Sequence, residues 1–305
     1  SSLYPLGLEE LEKQFSIIRL WQEKDPDAAI RKSRDDIVAL IGTPGRQVSR
    51  SLIEALPNLE IIANFAVGTD NIDMSAVRER GIIVTNTPDV LTADTADTAM
   101  ALMLCVARRV VEGDAYVRVG KWGSGAMPLG TTLYGKRVGI VGIGRIGRAI
   151  AERCSVFGMR VSYFNKRKKS DLSYDYYSDL KVMAEDCDFL VLSCPGGAET
   201  RHIVNSSVLS ALGPKGFLIN VARGSVVDEE ALLIALRNKD IAGAGLDVYE
   251  NEPHVPESLF TMDNVVLLPH IGSATVESRT AMAKLVIENL LAHFNGDPLK
   301  TPVAA

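Results

Sequence analysis

Short apolar runs rich in β-branched residues alternate with stretches of helical periodicity along nearly all of the 305 residues. Such alternation predicts an α/β architecture of parallel sheets with helices on both faces. In the first part the runs are SIIRLW (16–21), IVALIG (37–42), EIIANF (60–65) and IIVT (82–85), with helical stretches near 49–56 and 73–80. From Thr92 to about Val119 the pattern changes: there is no Pro and one Gly, and Ala, Leu, Met and Val recur at helical spacing. Thr92 suits an N-cap, and Asp94 and Asp97 suit the positive end of a helix. At ~1.5 Å per residue this helix would run roughly 40 Å, long enough to cross between domains and to pack against a second subunit. After the loop GKWGSGAMPLGTTLYG (120–135), a second series of strands begins with KRVGIVGIGRIG (136–147). It continues through RVSYF (160–164), DFLVLS (188–193), GFLINV (216–221), AGAGLDV (242–248) and NVVLLP (264–269), and a helix over about 273–294 follows.

Composition narrows the class without naming it. The chain is 47% hydrophobic and 23% charged, with no run long enough to span a bilayer. The opening SSLYPLGLEE lacks the basic and apolar blocks of a signal peptide, so the expected compartment is the cytoplasm. Cys105, Cys154, Cys187 and Cys194 form no CxxC pair and have no His at ligand spacing, so no metal site is expected. A formal net charge of −5 argues against a broad nucleic-acid-binding face. The four consecutive cations in YFNKRKKS (163–170) are therefore a local feature with a local purpose.

That purpose depends on the glycines upstream. RVGIVGIGRIGRAIAERC sets Gly142, Gly144 and Gly147 as GxGxxG between an apolar strand and a helix beginning near Arg145. Gly142 permits the tight turn, Gly144 lets the backbone approach a pyrophosphate, and Gly147 lets helix and strand pack closely. The helix N-terminus adds free N–H groups and positive potential for the phosphates. An NAD-binding fold commonly ends its second strand with Asp or Glu to hold the ribose hydroxyls. Here Asn165 stands there, followed by Lys166, Arg167, Lys168 and Lys169. A carboxylate would repel a 2′-phosphate, whereas Asn165 can donate to it and Arg167 can pair with it, so NADP(H) is expected over NAD(H). The alternative is a solvated basic turn with no ligand.

Three later stretches each fall at a strand end: INVARGSVVDEEAL (219–232), GAGLDVYENEP (243–253) and NVVLLPHIGSAT (264–275). Ligands of open parallel sheets bind beyond the carboxyl ends of the strands, which would bring Arg223, Glu252 and His270 to one crevice. Their chemistry suits a ketoacid. Arg223 would anchor a carboxylate and polarise the adjoining carbonyl, and His270 would deliver a proton to the carbonyl oxygen as hydride arrives. Glu252, within hydrogen-bond reach, would favour the imidazolium form. His202, His254 and His293 lack this placement and are read as structural.

With these motifs in the order NTPDVLTADTADTAMALML, GKRVGIVGIGRIG, INVARGSVVDEEAL, AGAGLDVYENEP and LLPHIGSAT, the sequence resembles the D-isomer-specific 2-hydroxyacid dehydrogenase family over almost its whole length. Within it the chain is similar to the NADPH-dependent glyoxylate/hydroxypyruvate reductases and the plant hydroxyphenylpyruvate reductases. The resemblance implies a Rossmann dinucleotide-binding domain inserted into a smaller flavodoxin-like substrate domain, with 1–88 and 272–305 forming the latter and 89–271 the former. It implies Arg223 for substrate binding, Glu252 as partner of the histidine and His270 as acid/base. It places backbone N–H groups of Val67 and Gly68 at the substrate carboxylate. Cofactor contacts are implied for the Gly142, Ile143, Gly144, Arg145, Ile146 and Gly147 cradle, for Asn165, Lys166 and Arg167, and for Val221, Ala222, Arg223, Asp247, His270 and Gly272. A homodimer through helix 92–119 is implied as well. SCPGGAET (193–200) departs from the family's usual PLTPET-like loop, with Gly196 and Gly197 in place of bulkier residues. Trp122 is either a pocket wall or an ordinary interface residue. Small substrates, glyoxylate and hydroxypyruvate, are expected; 4-hydroxyphenylpyruvate is the alternative. A dinucleotide-sensing scaffold like the C-terminal-binding co-repressors is the alternative from another class.

Overall fold

The computed structural model describes residues 5–43 and 45–303. Residues 1–4, part of the opening read for a leader, lie outside the described residues, as do 304–305 at the end of the expected substrate domain. The chain divides into two compact units: one takes the chain up to Leu91 and again from Ala274, and the other is Thr92–Ser273. Among the described residues, no helix is long and apolar enough to cross a membrane.

The first unit holds three parallel strands, β1 (Ala39–Gly42), β2 (Ile61–Asn64) and β3 (Ile83–Thr85), in the order β1-β2-β3. All four residues of β2 are buried, which explains its continuous apolar run rather than an alternating one. The helices Arg50–Ala55 and Met74–Arg80 form where expected because each opens on a side-chain cap. Ser49 Oγ accepts from the Leu52 N–H at 3.3 Å, and Asp73 Oδ1 accepts from the N–H groups of Ser75 and Ala76 at 3.1 and 2.9 Å. The helix Val276–Asn295 opens on a Thr275 cap in the same way and ends at Gly296, φ 75°.

SIIRLW (16–21), expected as a strand, is not one. Its Ile17, Ile18, Leu20 and Trp21 line an apolar cavity of about 470 Å³ that is also lined by Val38–Ile41. Among the described residues β1 pairs with β2 alone, and the segment joins no sheet. Tight backbone bonds from Leu20 N to Ile18 O and from Gln22 N to Arg19 O then turn the segment away from an extended course.

The second unit carries seven parallel strands: β4 (Arg137–Val141), β5 (Arg160–Phe164), β6 (Asp175–Tyr177), β7 (Phe189–Leu192), β8 (Phe217–Asn220), β9 (Gly243–Leu246) and β10 (Val265–Leu267). Their order is β10-β9-β8-β7-β4-β5-β6, so the winding reverses between β4 and β7. Such a reversal opens a crevice at the strand ends. Both faces are covered. Phe189 and Val191 of β7 enter one apolar cluster, and Leu190 and Leu192 enter the other. The short edge strand β6 escaped the sequence reading because its three residues, DYY, are partly or fully exposed and carry no buried run.

The expected helix over 92–119 is two helices, Thr92–Arg108 and Val110–Arg118, separated by Arg109 in a left-handed conformation (φ 54°). A returning loop causes the break. The Thr131 N–H donates to Ala107 O at 2.7 Å, taking the carbonyl that the next helical turn would use. Arg109 then pairs with Glu112 at 2.5 Å.

Candidate active site

The three glycines of the β4 turn are held to different tasks. Gly142 has φ 91°, and a Cβ there would lie 2.6 Å from the Cα of Cys194. A Cβ on Gly147 would lie 2.2 Å from Gly142 O and 2.9 Å from Ser193 Oγ, so this residue is where the helix Arg145–Val156 meets the strand turn. Ser193 Oγ donates to Gly142 O at 2.7 Å and stitches β4 to β7 across the reversal. Gly144 differs: its φ of −77° suits any residue, and a Cβ would meet nothing within 4 Å. The protein leaves open space over Gly144, immediately before the helix N-terminus and with no side-chain cap on it. A dinucleotide pyrophosphate fits such a cradle. Ile143 and Gly147 are buried, Ile146 is partly buried, and Arg145 is exposed.

At the end of β5, Asn165 Nδ2 donates to Arg167 O at 3.0 Å, shaping the basic turn. Lys166 Nζ pairs with Glu199 at 2.9 Å, and both side chains are well exposed. Lys169 donates its N–H to the buried Tyr163 Oη at 2.9 Å. The exposed side chains of Arg167 and Lys168 form no ion pair or hydrogen bond among the described residues. Two cations of the run thus remain for an anion.

Three strand ends carry Arg223, Glu252 and His270. After β8, the buried Asn220 accepts the Ala222 N–H through Oδ1 and donates from Nδ2 to Arg223 O, both at 3.0 Å. Val221 and Ala222 are buried and Arg223 is partly exposed. A Cβ on Gly224 would lie 1.9 Å from the carbonyl carbon of Tyr249, so the Arg223 turn packs directly on the backbone that follows β9. After β9, the buried Asp247 carboxylate accepts the N–H groups of Ile271 and Gly272 at 2.7 and 2.8 Å, and Asp247 O accepts the His270 N–H at 2.9 Å. Burial pushes the Asp247 carboxyl above its ordinary value, although these hydrogen bonds and the His270 charge oppose the shift. Asp247 thereby clamps the segment that carries His270.

His270 Nδ1 lies 2.6 Å from Glu252 Oε2. Glu252 Oε1 accepts the Tyr249 N–H at 3.1 Å, which fixes the carboxylate plane. Burial alone would raise the Glu252 carboxyl. The His270 hydrogen bond and charge, the Tyr249 N–H and the Arg223 charge outweigh it, so the group sits below its ordinary range. With Nδ1 engaged and the side chain 30% exposed, Nε2 is the ring nitrogen outside this pair.

The structure therefore brings Glu252 and His270 into contact, sets Arg223 within electrostatic reach of Glu252, and binds Asp247 and Gly272 into the same strand-end cluster. Val67 and Gly68 lie in the turn after β2, in the other unit. Trp122 sits on a short 3-10 turn, Lys121–Ser124, and is 74% exposed. His202 meets Glu250, two residues before Glu252, at 3.0 Å, and its backbone N–H donates to Ser225 O, so it borders the Arg223 turn without joining the His270–Glu252 pair. His293 meets Glu60 at 2.9 Å in the other unit. Asn220, Tyr249 and Gly224 were missed in the sequence. An asparagine ending an apolar strand run was the available signal for the first.

A parallel sheet with a glycine cradle at its reversal, and an imidazole–carboxylate pair beside a guanidinium at its strand ends, is the build of a nicotinamide-dependent oxidoreductase. A profile of the D-isomer specific 2-hydroxyacid dehydrogenase NAD-binding domain matches residues 100–272. The chain is 50% identical to a glyoxylate/hydroxypyruvate reductase A of Arabidopsis thaliana, covering 96% of this chain and 94% of that one. It is 50% identical to a hydroxyphenylpyruvate reductase of Plectranthus scutellarioides, covering 97% and 94%. Among solved structures, an NADPH-dependent glyoxylate/hydroxypyruvate reductase from Sinorhizobium meliloti, in complex with NADP and malonate, superposes with a TM-score of 0.91. It shares 45% identity and covers 100% of this chain and 95% of its own. The chain belongs to the D-isomer-specific 2-hydroxyacid dehydrogenase family, as an α/β enzyme whose NAD-binding domain is inserted into a substrate domain.

Proposed function

We propose that this enzyme reduces small 2-ketoacids, glyoxylate and hydroxypyruvate, to 2-hydroxyacids with NADPH, His270 acting as general acid. The 2.6 Å contact between His270 Nδ1 and Glu252 carries the reading. The Gly144 cradle and the cations at 166–168 would hold the dinucleotide, whose nicotinamide supplies the hydride when bound. Arg223 draws the carbonyl's electrons toward oxygen and binds the neighbouring carboxylate. His270 donates from Nε2 to that oxygen. Glu252, kept ionised by its surroundings, fixes the ring's orientation and stabilises the form that has a proton to give. The turn at Val67 and Gly68 takes the substrate carboxylate.

Several observations support the finer points. Named reductases of glyoxylate and hydroxypyruvate align along nearly the full chain, and the solved relative with NADP is NADPH-dependent. Arg167 and Lys168 stand unpaired where a 2′-phosphate would lie. The hydroxyphenylpyruvate reductase relative, at 50% identity, supports a second reading in which the bulky ketoacid is the substrate. Initial rates on glyoxylate, hydroxypyruvate and 4-hydroxyphenylpyruvate, each with NADPH and NADH, test both. The expected result is a higher kcat/KM for the two small acids and for NADPH. Absence of turnover on all three would leave the scaffold reading, and a preference for NADH would remove the role given to the cations. The exposed apolar strip on the second unit, Val110, Val111, Val117, Val119 and Trp122, supports a homodimer through this region.

A further inference from the structure

The turn that follows β2, FAVGTDNID, has three successive carbonyls tied back to its own unit. Ala66 O accepts from the Thr87 N–H at 2.9 Å, Val67 O from Asn86 Nδ2 at 2.8 Å, and Gly68 O from Asn64 Nδ2 at 2.7 Å. A trans peptide is planar, and its C=O and N–H point in opposite directions. Fixing these three carbonyls therefore turns the N–H groups of Val67, Gly68 and Thr69 the other way, as a set. None of the three donates a hydrogen bond among the described residues, although all three residues are partly buried. Unpaired donors in such positions are rare, and successive backbone N–H groups facing one side form an anion site.

The two asparagines are themselves held. Asn64 is fully buried, and its Oδ1 accepts from Asn71 Nδ2 at 3.3 Å. A Cβ on Gly42 of β1 would lie 2.5 Å from Asn64 Oδ1, so the neighbouring strand leaves room for this side chain. The backbone of Asn86 is fastened on both sides by Thr301, whose carbonyl accepts the Asn86 N–H at 3.3 Å and whose hydroxyl donates to Asn86 O at 2.6 Å.

We propose that Asn64 and Asn86 are positioning residues for the substrate. By holding the Gly68 and Val67 carbonyls, they aim the Thr69 and Gly68 N–H groups at its carboxylate and add a third donor, from Thr69, to those of Val67 and Gly68. Neither side chain touches the substrate. The inference rests on the 2-ketoacid reading of the site.

Asn86→Ala and the near-isosteric Asn86→Asp test it in the full chain. Both remove the amide donor to Val67 O, and Asn86→Asp also sets a carboxylate against that carbonyl. The expected result is a rise in KM for hydroxypyruvate of about tenfold or more, with kcat within about threefold of wild type. The Kd of NADPH, read by quenching of protein fluorescence, stays unchanged. The Kd of oxalate for the NADPH-loaded protein weakens by a similar factor. An unchanged KM and oxalate Kd in a variant with a wild-type thermal midpoint would overturn the proposal. So would a loss shared equally by NADPH binding, which marks a general structural fault. If both variants fail to fold, Asn86→Ser is read by the same three measurements. Wild type inactive on every 2-ketoacid would reject the substrate reading instead. Oxalate binding then still decides the inference: weaker in the variants upholds it, and equal or absent binding overturns it.

Discussion

His270 occupies a left-handed backbone conformation, φ 55°, which a residue with a Cβ adopts at a cost of order 1–3 kcal/mol. Three hydrogen bonds to Asp247 hold it there: its own N–H to Asp247 O, and the next two N–H groups to the carboxylate. The imidazole is thus aimed by the backbone first and by Glu252 second. His270→Ala is expected to lower kcat by roughly 10²–10⁴-fold while the NADPH Kd stays near wild type, checked by steady-state kinetics and fluorescence titration. Glu252→Gln keeps the shape and removes the charge. It should lower kcat by ~10–100-fold, since the imidazole loses the carboxylate that accepts from its Nδ1 side and orients the ring. The same substitution has a signature in stability. The Glu252 carboxyl is depressed below its ordinary 4.5, so its contribution to folding is fully present above that value and is lost as pH falls through the lower folded-state value. Urea titrations from pH 6 downward should show wild type losing stability below about 4.5 more steeply than Glu252→Gln; parallel curves would contradict the assignment.

Helices and strands explain why some of this could be read from the chain and some could not. In the second sheet β4, β7, β8 and β9 are buried along nearly their whole length and read as apolar runs, while β5 is recognised by its alternation; all of these and β10 lie within the expected stretches. SIIRLW is also apolar but joins no sheet among the described residues, and the short-range bonds from Leu20 N to Ile18 O and from Gln22 N to Arg19 O turn it instead. The break at Arg109 was invisible for a similar reason, since it depends on Thr131, more than twenty residues on, capturing Ala107 O. Arg223, Glu252 and His270 were legible because strand ends are. Asn64 and Asn86 were not, because their work is on backbone carbonyls that only the folded turns bring near, and Asn220 showed only its place at the end of an apolar run. At the glycine turn the structure separates folding from binding within one motif. Gly147→Ala forces a Cβ to 2.2 Å from Gly142 O, and should cost at least ~1–3 kcal/mol and lower the thermal midpoint. Gly144→Ala adds a methyl group into open space at an ordinary φ. It should leave the thermal midpoint unchanged and weaken NADPH binding by about tenfold or more, because the pyrophosphate can no longer approach the backbone. Equal effects of the two substitutions on stability would refute the division of labour.

For the molecule as a whole, six of the exposed large apolar side chains among the described residues fall on one stretch of the second unit. Val110 and Val117 lie one heptad apart on the helix Val110–Arg118, with Val111 beside them; Val119 (67% exposed) and Trp122 (74%) continue the strip, and Leu129 (96%) stands on the loop beyond. No residue of this helix is buried, so the element gains almost nothing from its own chain's core. A helix of nine residues is marginal in water without a packed face. A second copy of the chain would supply that face, and a stable symmetric contact would bury on the order of 1,200–2,000 Å² in total. Light scattering after size exclusion should therefore give twice the chain mass at micromolar concentration. Val117→Glu places a charge in the middle of the strip and is expected to shift the mass toward one chain. Its effect on kcat/KM then separates the two roles open to Trp122. A monomer that keeps full activity leaves Trp122 as an interface residue only. Activity that falls on dilution of wild type and is already low in Val117→Glu means that the partner completes the site. A wild type that runs as a single chain at all concentrations would show instead that the strip is covered by something other than its own copy.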